Sequence, residues 1–238
     1  MPDTASPPSF APTARTRVRR LPNRGHYDRE TVFAILDAAL LCHVGYVIDG
    51  APYVTPTLFW REGERLYWHG SSASRMLRTQ RAGVPVCVTV SHIDGLVVAR
   101  SGFHHSLNYR AVMAFGTAAV VEDAAEKAAR MNAFVERIYP GRNQEIRGIL
   151  PQELKATMLL SMVIDEVSAK VRSGGPVDDE ADYALDCWAG VIPIVQRLGA
   201  ALPDARLKPG SVQQAAPSHL VEDAPLDRLL LALARNEG

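Results

Sequence analysis

This chain of 238 residues has little cysteine, no net charge and no long hydrophobic run. Its three cysteines, Cys42, Cys87 and Cys187, are odd in number and widely spaced. That pattern argues against a disulfide framework or a cysteine-based zinc site, and it favours a reducing, cytoplasmic location. The longest apolar run, Leu229 to Ala234, has six residues, whereas a membrane span needs roughly 20. The first residues also lack the apolar segment of a secretory signal, so we predict neither a membrane protein nor a secreted one.

Several common site patterns are absent as well. Lys+Arg and Asp+Glu both number 26, and this balance argues against a dedicated nucleic-acid-binding protein. The dinucleotide-binding, P-loop and serine-hydrolase glycine motifs do not occur, so these classes have no support. The histidines lack metal-ligand spacing, and we predict no metal site. Apolar residues nevertheless make up 47% of the chain, enough for one large domain with a sizeable core.

Hydrophobic periodicity predicts a largely antiparallel β protein. Helical spacing predicts helices over 28–40, 122–138 and 224–235, and a short helix that begins at a serine near Ser74 and ends near Gly83. Strand patterns cover 43–48, 52–60, 66–69, 84–90, 96–100, 109–121 and 157–172, with turn signals at Asp49-Gly50, Glu62-Gly63 and Asp94-Gly95. Tight hairpins and few helices favour an antiparallel barrel over a doubly wound sheet.

The chain divides into three parts by composition. Residues 1–14 are proline-rich without periodicity, and we predict a disordered tail. Residues 15–195 form the barrel domain, and residues 196–238 form a linker and an amphipathic helix. The arginine-rich stretch 15–29 is interpreted as a solvated basic strand that wraps the domain. It could alternatively contribute to an anionic ligand site or contact nucleic acid, although the neutral net charge opposes the last interpretation.

The stretch from Leu66 to Leu77 is the most informative part of the sequence. A strand ends in Trp68-His69-Gly70, a loop of small residues follows, and Ser74-Arg75 stand at a helix start. Backbone N–H groups at a helix start, a hydroxyl and a guanidinium together suit a phosphate. An ordinary capped surface helix with a solvated arginine explains the same pattern, and His69 by default is a structural histidine.

Four stretches, in order along the chain, carry a resemblance to a known family. They are Pro52-Tyr53-Val54-Thr55-Pro56-Thr57, Leu66-Tyr67-Trp68-His69-Gly70 with Ser74-Arg75, Ser106-Leu107-Asn108-Tyr109-Arg110-Ala111-Val112 ending at Phe115-Gly116, and Trp188-Ala189-Gly190-Val191-Ile192-Pro193. Over about residues 15–195 the chain resembles the pyridoxamine 5′-phosphate oxidase-like, FMN-binding split-barrel family, especially its flavoproteins related to nitroimidazole reductase.

The resemblance implies a mainly β fold with flanking helices: a six-stranded antiparallel split β-barrel that forms a homodimer with two FMN sites at its interface. In such a protein Ser74 and Arg75 hold the phosphate, backbone around Val54 to Thr57 lines the isoalloxazine edge, and Trp188 comes from the partner subunit. The full set implied for cofactor binding is Val54, Thr55, Pro56, Thr57, Trp68, His69, Ser74, Arg75, Arg78, Asn108, Arg110, Ala111 and Trp188.

Two positions depart from the family pattern. Met76 stands where relatives often have lysine, a loss that Arg78 could offset one turn later, and Ala111 replaces a polar residue. The resemblance implies an FMN-dependent oxidoreductase that reduces a small organic acceptor, such as a nitro-aromatic, with NAD(P)H as reductant. His69 is the candidate catalytic residue, as proton donor or substrate contact. The alternative is a non-catalytic split barrel that binds flavin or haem.

Overall fold

The computed structural model describes residues 9–81, 83–208 and 217–235. The helices are α1 (Arg29–Asp37), α2 (Arg75–Gln80), α3 (Ala124–Ile138), α4 (Pro151–Ala156) and α5 (Leu226–Arg235). The strands are β1 (Gly25–His26), β2 (Leu41–Ile48), β3 (Ala51–Glu62), β4 (Arg65–Ser71), β5 (Pro85–Val98), β6 (Ser106–Thr117), β7 (Ala119–Val120), β8 (Thr157–Val163), β9 (Glu166–Arg172) and β10 (Gly190–Pro193). No helix in these ranges has the length and apolar character needed to cross a bilayer.

The strands form one antiparallel sheet in the order β1-β9-β6-β5-β2-β3-β4-β8-β7, and β10 pairs with β5. This confirms the predicted class, a mainly β antiparallel fold with flanking helices. The strand number needs correction, because the described ranges hold ten strands rather than six. The predicted strand over 157–172 is in fact two, β8 and β9, and the short strands β1, β7 and β10 add to the count.

The two Asp-Gly turn signals have different outcomes. Asp49 and Gly50 both have positive φ, 49° and 79°, as the type I′ hairpin between β2 and β3 requires. The turn predicted at Asp94-Gly95 is wrong, because β5 continues through it with a bulge. A Cβ on Gly95 would lie 3.0 Å from the carbonyl oxygen of Ile192, so the glycine permits close passage of β10.

Two apolar clusters lie on the two faces of β4. The barrel interior contains alternate residues of the long strands, including Val44, Val88 and Val112, with Trp68 from β4. A second cluster packs beneath α3 on the other face of the strand. It consists of Trp60, Tyr67, Val121 and Leu159, with Phe134 against it. The alternation of side chains along β4 therefore separates two compartments.

A buried carboxylate joins α1, β3 and α3. Asp37 accepts hydrogen bonds from Nε of Arg61 at 3.0 Å and from Nη2 of Arg137 at 2.8 Å. The C-terminal helix α5 packs near this group, where Leu230 and Leu233 are buried. The apolar stripe predicted for this helix therefore packs against α1 and α3 of the same chain.

The N-terminal arm corrects one prediction. Residues 1–8 lie outside the described residues, but residues 9–14 are not a disordered tail, because Phe10 is only 8% exposed. Its ring lies 6.1 Å from that of Phe33, and the guanidinium of Arg29 stacks 4.3 Å above it. The backbone N–H of Phe10 also donates to the carbonyl of Tyr27 at 2.8 Å. One aromatic anchor within a polar, proline-rich stretch is a weak sequence signal.

This anchor predicts a measurable contribution to stability. Phe10→Ala should lower the free energy of unfolding by about 2–4 kcal/mol in urea denaturation, because it leaves a cavity among core side chains. The matched control is Phe103→Ala, at a side chain that is 91% exposed, and it should change the same quantity by less than about 0.5 kcal/mol. Equal effects of the two substitutions would contradict a packed arm.

Candidate functional site

Strand β3 has an unpaired edge over most of its length. It pairs with β2 from Ala51 to Leu58, but with β4 only from Phe59 to Glu62. Beyond Trp68, β4 leaves β3 but keeps its pairing with β8 on its other edge, as far as Ser71. Within the described ranges, residues 51–58 therefore expose N–H and C=O groups on the side away from β2. Such groups need partners, and a ligand can supply them.

Helix α2 lies beside the beginning of this edge. Its Met76 and Leu77 are buried in the barrel interior, and Oε1 of its Gln80 accepts a hydrogen bond of 3.0 Å from Nε1 of Trp68. These contacts fix the orientation of the short helix. At its first turn, the guanidinium of Arg75 stacks 4.9 Å above the ring of Tyr53 in β3. The sequence-predicted pair Ser74-Arg75 and the stretch 53–57 are thus brought together, and we call this region the β3–α2 cleft.

The polar groups of the β3–α2 cleft are largely unused by the protein. Ser74 precedes the first turn of α2 with extended backbone angles, yet its hydroxyl makes no capping hydrogen bond. Arg75 and Arg78 are exposed, and neither forms an ion pair with a carboxylate in the described parts of the chain. Val54, which is 67% exposed, and Pro56 add an apolar surface on the other face of the same strand edge. Cations, a hydroxyl and free backbone beside an apolar surface suit a planar ligand that carries a phosphate.

Trp68 and His69 do not line this cleft. Trp68 is completely buried in the barrel interior, so the expectation that it contacts a flavin needs correction, and its indole instead orients Gln80. His69 points to the opposite face of β4, towards α3. The two adjacent residues serve different compartments because successive side chains of a strand alternate. The sequence predicts this alternation but not which face meets α2.

His69 occupies an aromatic environment beneath α3. Its ring centroid lies 6.1 Å from that of Trp60 and 5.7 Å from that of Phe134. Its Nδ1 is enclosed and has no hydrogen-bond partner in the structure. Burial lowers the pKa of His69 below its ordinary value, because the cation loses hydration. The imidazole is therefore neutral at physiological pH, the form that coordinates metals or accepts a proton.

Arg110 and Asn108 are engaged elsewhere. The guanidinium of Arg110 binds Asp94 through Nη2 at 2.7 Å and Nε at 2.9 Å, and it binds Asp227 of α5 at 3.1 Å. The Asp94 hydrogen bonds raise the pKa of Arg110 further. Asn108 is buried and donates to the carbonyl of Gly174 at 3.1 Å. Because β2 and β5 lie between β3 and β6, three strand spacings, or roughly 14 Å, separate β6 from β3.

A cavity of about 550 Å³ lies beside Arg110, between β5 and the C-terminal segment, and His92, Arg197 and Arg228 also line it.

Ala111 is half-buried on β6, and Trp188 is 64% exposed. Trp188 packs over Gly190, where a Cβ would lie 3.0 Å from the indole. Within one chain, the predicted site residues are therefore divided: some lie at the β3–α2 cleft, others lie on or near β6 with Arg110, and Trp68 and His69 lie outside both regions.

Some residues of these regions carry no sequence signal. Gln80 lies on a short helix with nothing to mark it as a partner of Trp68, and Asp227 is more than a hundred positions from Arg110. Tyr53 lies inside one of the resemblance stretches, but the stacking of Arg75 on its ring depends on the tertiary placement of α2. These contacts could be found only from the three-dimensional structure.

The outward side of the sheet carries a row of exposed apolar side chains, which we call the outer face. It comprises Leu41, Val47, Val54, Leu58 and Met113. Leu41 and Leu58 are directly paired between β2 and β3, so they form a continuous patch rather than isolated residues. Contiguous apolar patches of this kind mark interaction surfaces.

Comparisons with known proteins identify relatives of this chain. The model of a family described as pyridoxamine 5′-phosphate oxidase matches residues 28–171. The flavocytochrome Anf3 from Azotobacter vinelandii is 47% identical over 85% of this chain and 94% of its own, with a TM-score of 0.81. An FAD and heme binding protein from Mycobacterium smegmatis is 36% identical over 85% of this chain and 98% of its own, with a TM-score of 0.80. None of the curated proteins matches this chain.

Proposed function

Because the chain belongs to the pyridoxamine 5′-phosphate oxidase family, we propose that it binds a flavin and transfers electrons from it to a small organic acceptor. The family membership confirms the resemblance drawn from the sequence. Both solved relatives described above are named as flavin proteins, one a flavocytochrome and the other an FAD and heme binding protein. NAD(P)H is the proposed reductant, by analogy with the family.

The observation that carries this proposal is the β3–α2 cleft. In the proposed mode the Ser74 hydroxyl and the Arg75 guanidinium bind the phosphate, and Arg78 adds a third donor one turn later. The flavin ring lies along the unpaired backbone edge of residues 54–57. A bound flavin supplies hydride transfer, while these residues supply the phosphate contact and the orientation of the ring. FMN is the proposed cofactor, and FAD has the same phosphate next to its ribityl chain, so the contacts suit either.

Arg75→Ala tests the phosphate contact. The substitution removes charge-assisted hydrogen bonds, while Ser74 and Arg78 remain, so we expect a loss of about 2–4 kcal/mol, or roughly 30- to 1,000-fold weaker FMN binding by fluorescence titration. Arg75→Lys should restore only part of the affinity, because an ammonium lacks the planar fork. Chromatography of the heat-released ligand from the wild-type protein distinguishes FMN from FAD.

Riboflavin is the matched ligand control, because it lacks the phosphate. Its affinity should change little in either Arg75 variant. Equal losses for FMN and riboflavin would show that Arg75 supports the fold or the ring site, and the proposed phosphate contact would then be wrong.

We also propose that the protein is a homodimer through the outer face. The face is apolar and exposed, and one edge of it, Val54, borders the β3–α2 cleft. A second copy would cover these side chains, and it would bring Trp188 of one subunit to the cleft of the other, as the family resemblance implies. Obligate homodimer interfaces bury roughly 2,000 Å² or more, which requires an extended apolar surface of this type.

Leu41→Asp tests the dimer. A carboxylate at the paired Leu41–Leu58 position would be buried without a counter-charge in the interface, so the variant should sediment as a monomer at micromolar concentration. Its flavin content should fall with the loss of the partner. Phe103→Asp, at a fully solvated hairpin tip, provides the control and should sediment like the wild type. A wild-type monomer with bound flavin would contradict the proposal.

A specific observation favours haem as a second prosthetic group. His69 offers a neutral imidazole with an unpartnered, enclosed Nδ1 beside the contacting rings of Trp60 and Phe134, and one solved relative is named as an FAD and heme binding protein. We propose that the His69 imidazole would bind the haem iron. Haem iron would supply one-electron chemistry, and the residues around His69 would exclude water and fix the imidazole.

His69→Ala should remove the Soret absorption of protein supplied with haem and leave its flavin absorption intact, because β4 separates His69 from α2. His105→Ala is the matched control on an exposed histidine and should retain both bands. If His69→Ala instead removes the flavin and keeps haem, the sequence-based expectation of a flavin-side role for His69 is correct and the haem assignment is wrong.

A further inference from the structure

The N-terminal arm and the end of β9 bring together cations that lack carboxylate partners. Gly25 of β1 pairs with Lys170 of β9, so the preceding Arg24 lies next to the end of that strand. Val18 packs against Gly25, so the chain turns back on itself between these two residues. The exposed Arg19 and Arg20 lie within this turning segment. Within the described ranges none of these side chains forms an ion pair, although the formal charges of the whole chain balance.

Arg172 forms the base of this cluster and is only 8% exposed. Its guanidinium donates to Oδ1 of Asn108 at 2.5 Å and to the carbonyl oxygens of Gly175 at 3.3 Å and Gly174 at 3.5 Å. All three acceptors are neutral. Burial and the nearby charge of Arg24 both lower the pKa of Arg172. A buried cation normally gains a counter-charge as compensation for lost hydration, and the described residues supply none here.

The turn that follows Arg172 leaves room for a ligand. Gly174 has a φ of 102°, and a Cβ built on either Gly174 or Gly175 meets no atom within 4 Å. The buried Asn108 holds this turn by donating to the carbonyl of Gly174. The loop that contains Gly174 and Gly175 therefore holds the Arg172 guanidinium on one side. Open space lies next to these two glycines.

We propose that Arg24, Lys170 and Arg172 form a binding site for a soluble small molecule that carries a phosphate or diphosphate group. Arg172 provides a planar donor held in place, and Arg24 and Lys170 provide charges at the rim. Three unpaired cations fit a multiply charged phosphate better than a single carboxylate. The site is separate from the β3–α2 cleft, because β9 and β3 lie four strand spacings apart, roughly 19 Å.

Pyrophosphate is the probe, measured by isothermal titration calorimetry with the full chain at low ionic strength. Wild-type protein should bind it saturably, and Arg24→Ala should weaken binding at least about tenfold. Arg81→Ala removes the same charge from an exposed position on the α2 side of the sheet, and it should change the affinity less than about twofold. Arg24 is half-buried, so an unchanged melting temperature checks that its variant keeps the fold. Lys170→Ala is the second variant, and it should weaken pyrophosphate binding in the same direction.

Arg75→Ala separates this site from the proposed flavin site. It should leave pyrophosphate affinity within about twofold of wild type, even if the flavin proposal itself fails. A loss with Arg75→Ala but not with Arg24→Ala would place the pyrophosphate in the cleft and overturn the inference. No saturable pyrophosphate binding would overturn it too. Binding to phosphatidylglycerol vesicles that depends on Arg24, without pyrophosphate binding, would assign the cations to a membrane surface instead of a soluble ligand.

Discussion

The early separation of β4 from β3 is the constraint on which the candidate site depends. β3 has twelve residues, but its ladder with β4 covers only four pairs, and beyond Trp68 β4 stays paired with β8 alone. The hydrogen bond from Trp68 to Gln80, made completely inside the core, anchors α2 at that point, and Met76 and Leu77 fill the barrel end beneath it. The free backbone edge and the Ser74-Arg75 pair are therefore consequences of one packing arrangement.

Asp37 gives the opposite side of the barrel a comparable constraint. It is a buried carboxylate held by Arg61 and Arg137, so it joins three elements that are distant in sequence. Removal of one partner of such a group leaves an uncompensated buried charge. The free energy of unfolding then falls much more than it does when an exposed ion pair is lost. The buried charges of this ion group are thus compensated within the protein, whereas the exposed cations of the β3–α2 cleft are not.

The sequence predicts the fold class well because strand periodicity and turn chemistry are local. Asp49-Gly50 needs only its own backbone angles, and the helix cap at Asp28 needs only the N–H of Thr31, at 2.7 Å. Local patterns do not predict the bulge at Asp94-Gly95 or the division of 157–172, since both depend on which distant strand pairs there. For the site, proximity of Ser74-Arg75 to residues 53–57 follows the family resemblance. The burial of Trp68 and the side on which His69 lies depend on where α2 and α3 pack, which periodicity does not encode.

Arg110 shows how the same family pattern can acquire another role. The resemblance assigns it to the cofactor, yet here Asp94 holds it through two nitrogens and Asp227 adds a second carboxylate. A ligand phosphate would have to compete with two anions already in contact. Since Asp227 lies in the first turn of α5, release of Arg110 would also loosen the attachment of the C-terminal helix. The ion group therefore fixes α5 against β6, whereas the indole of Trp188 is 64% exposed. In the proposed dimer, the residue that one chain contributes to its partner's cleft is therefore Trp188 rather than Arg110.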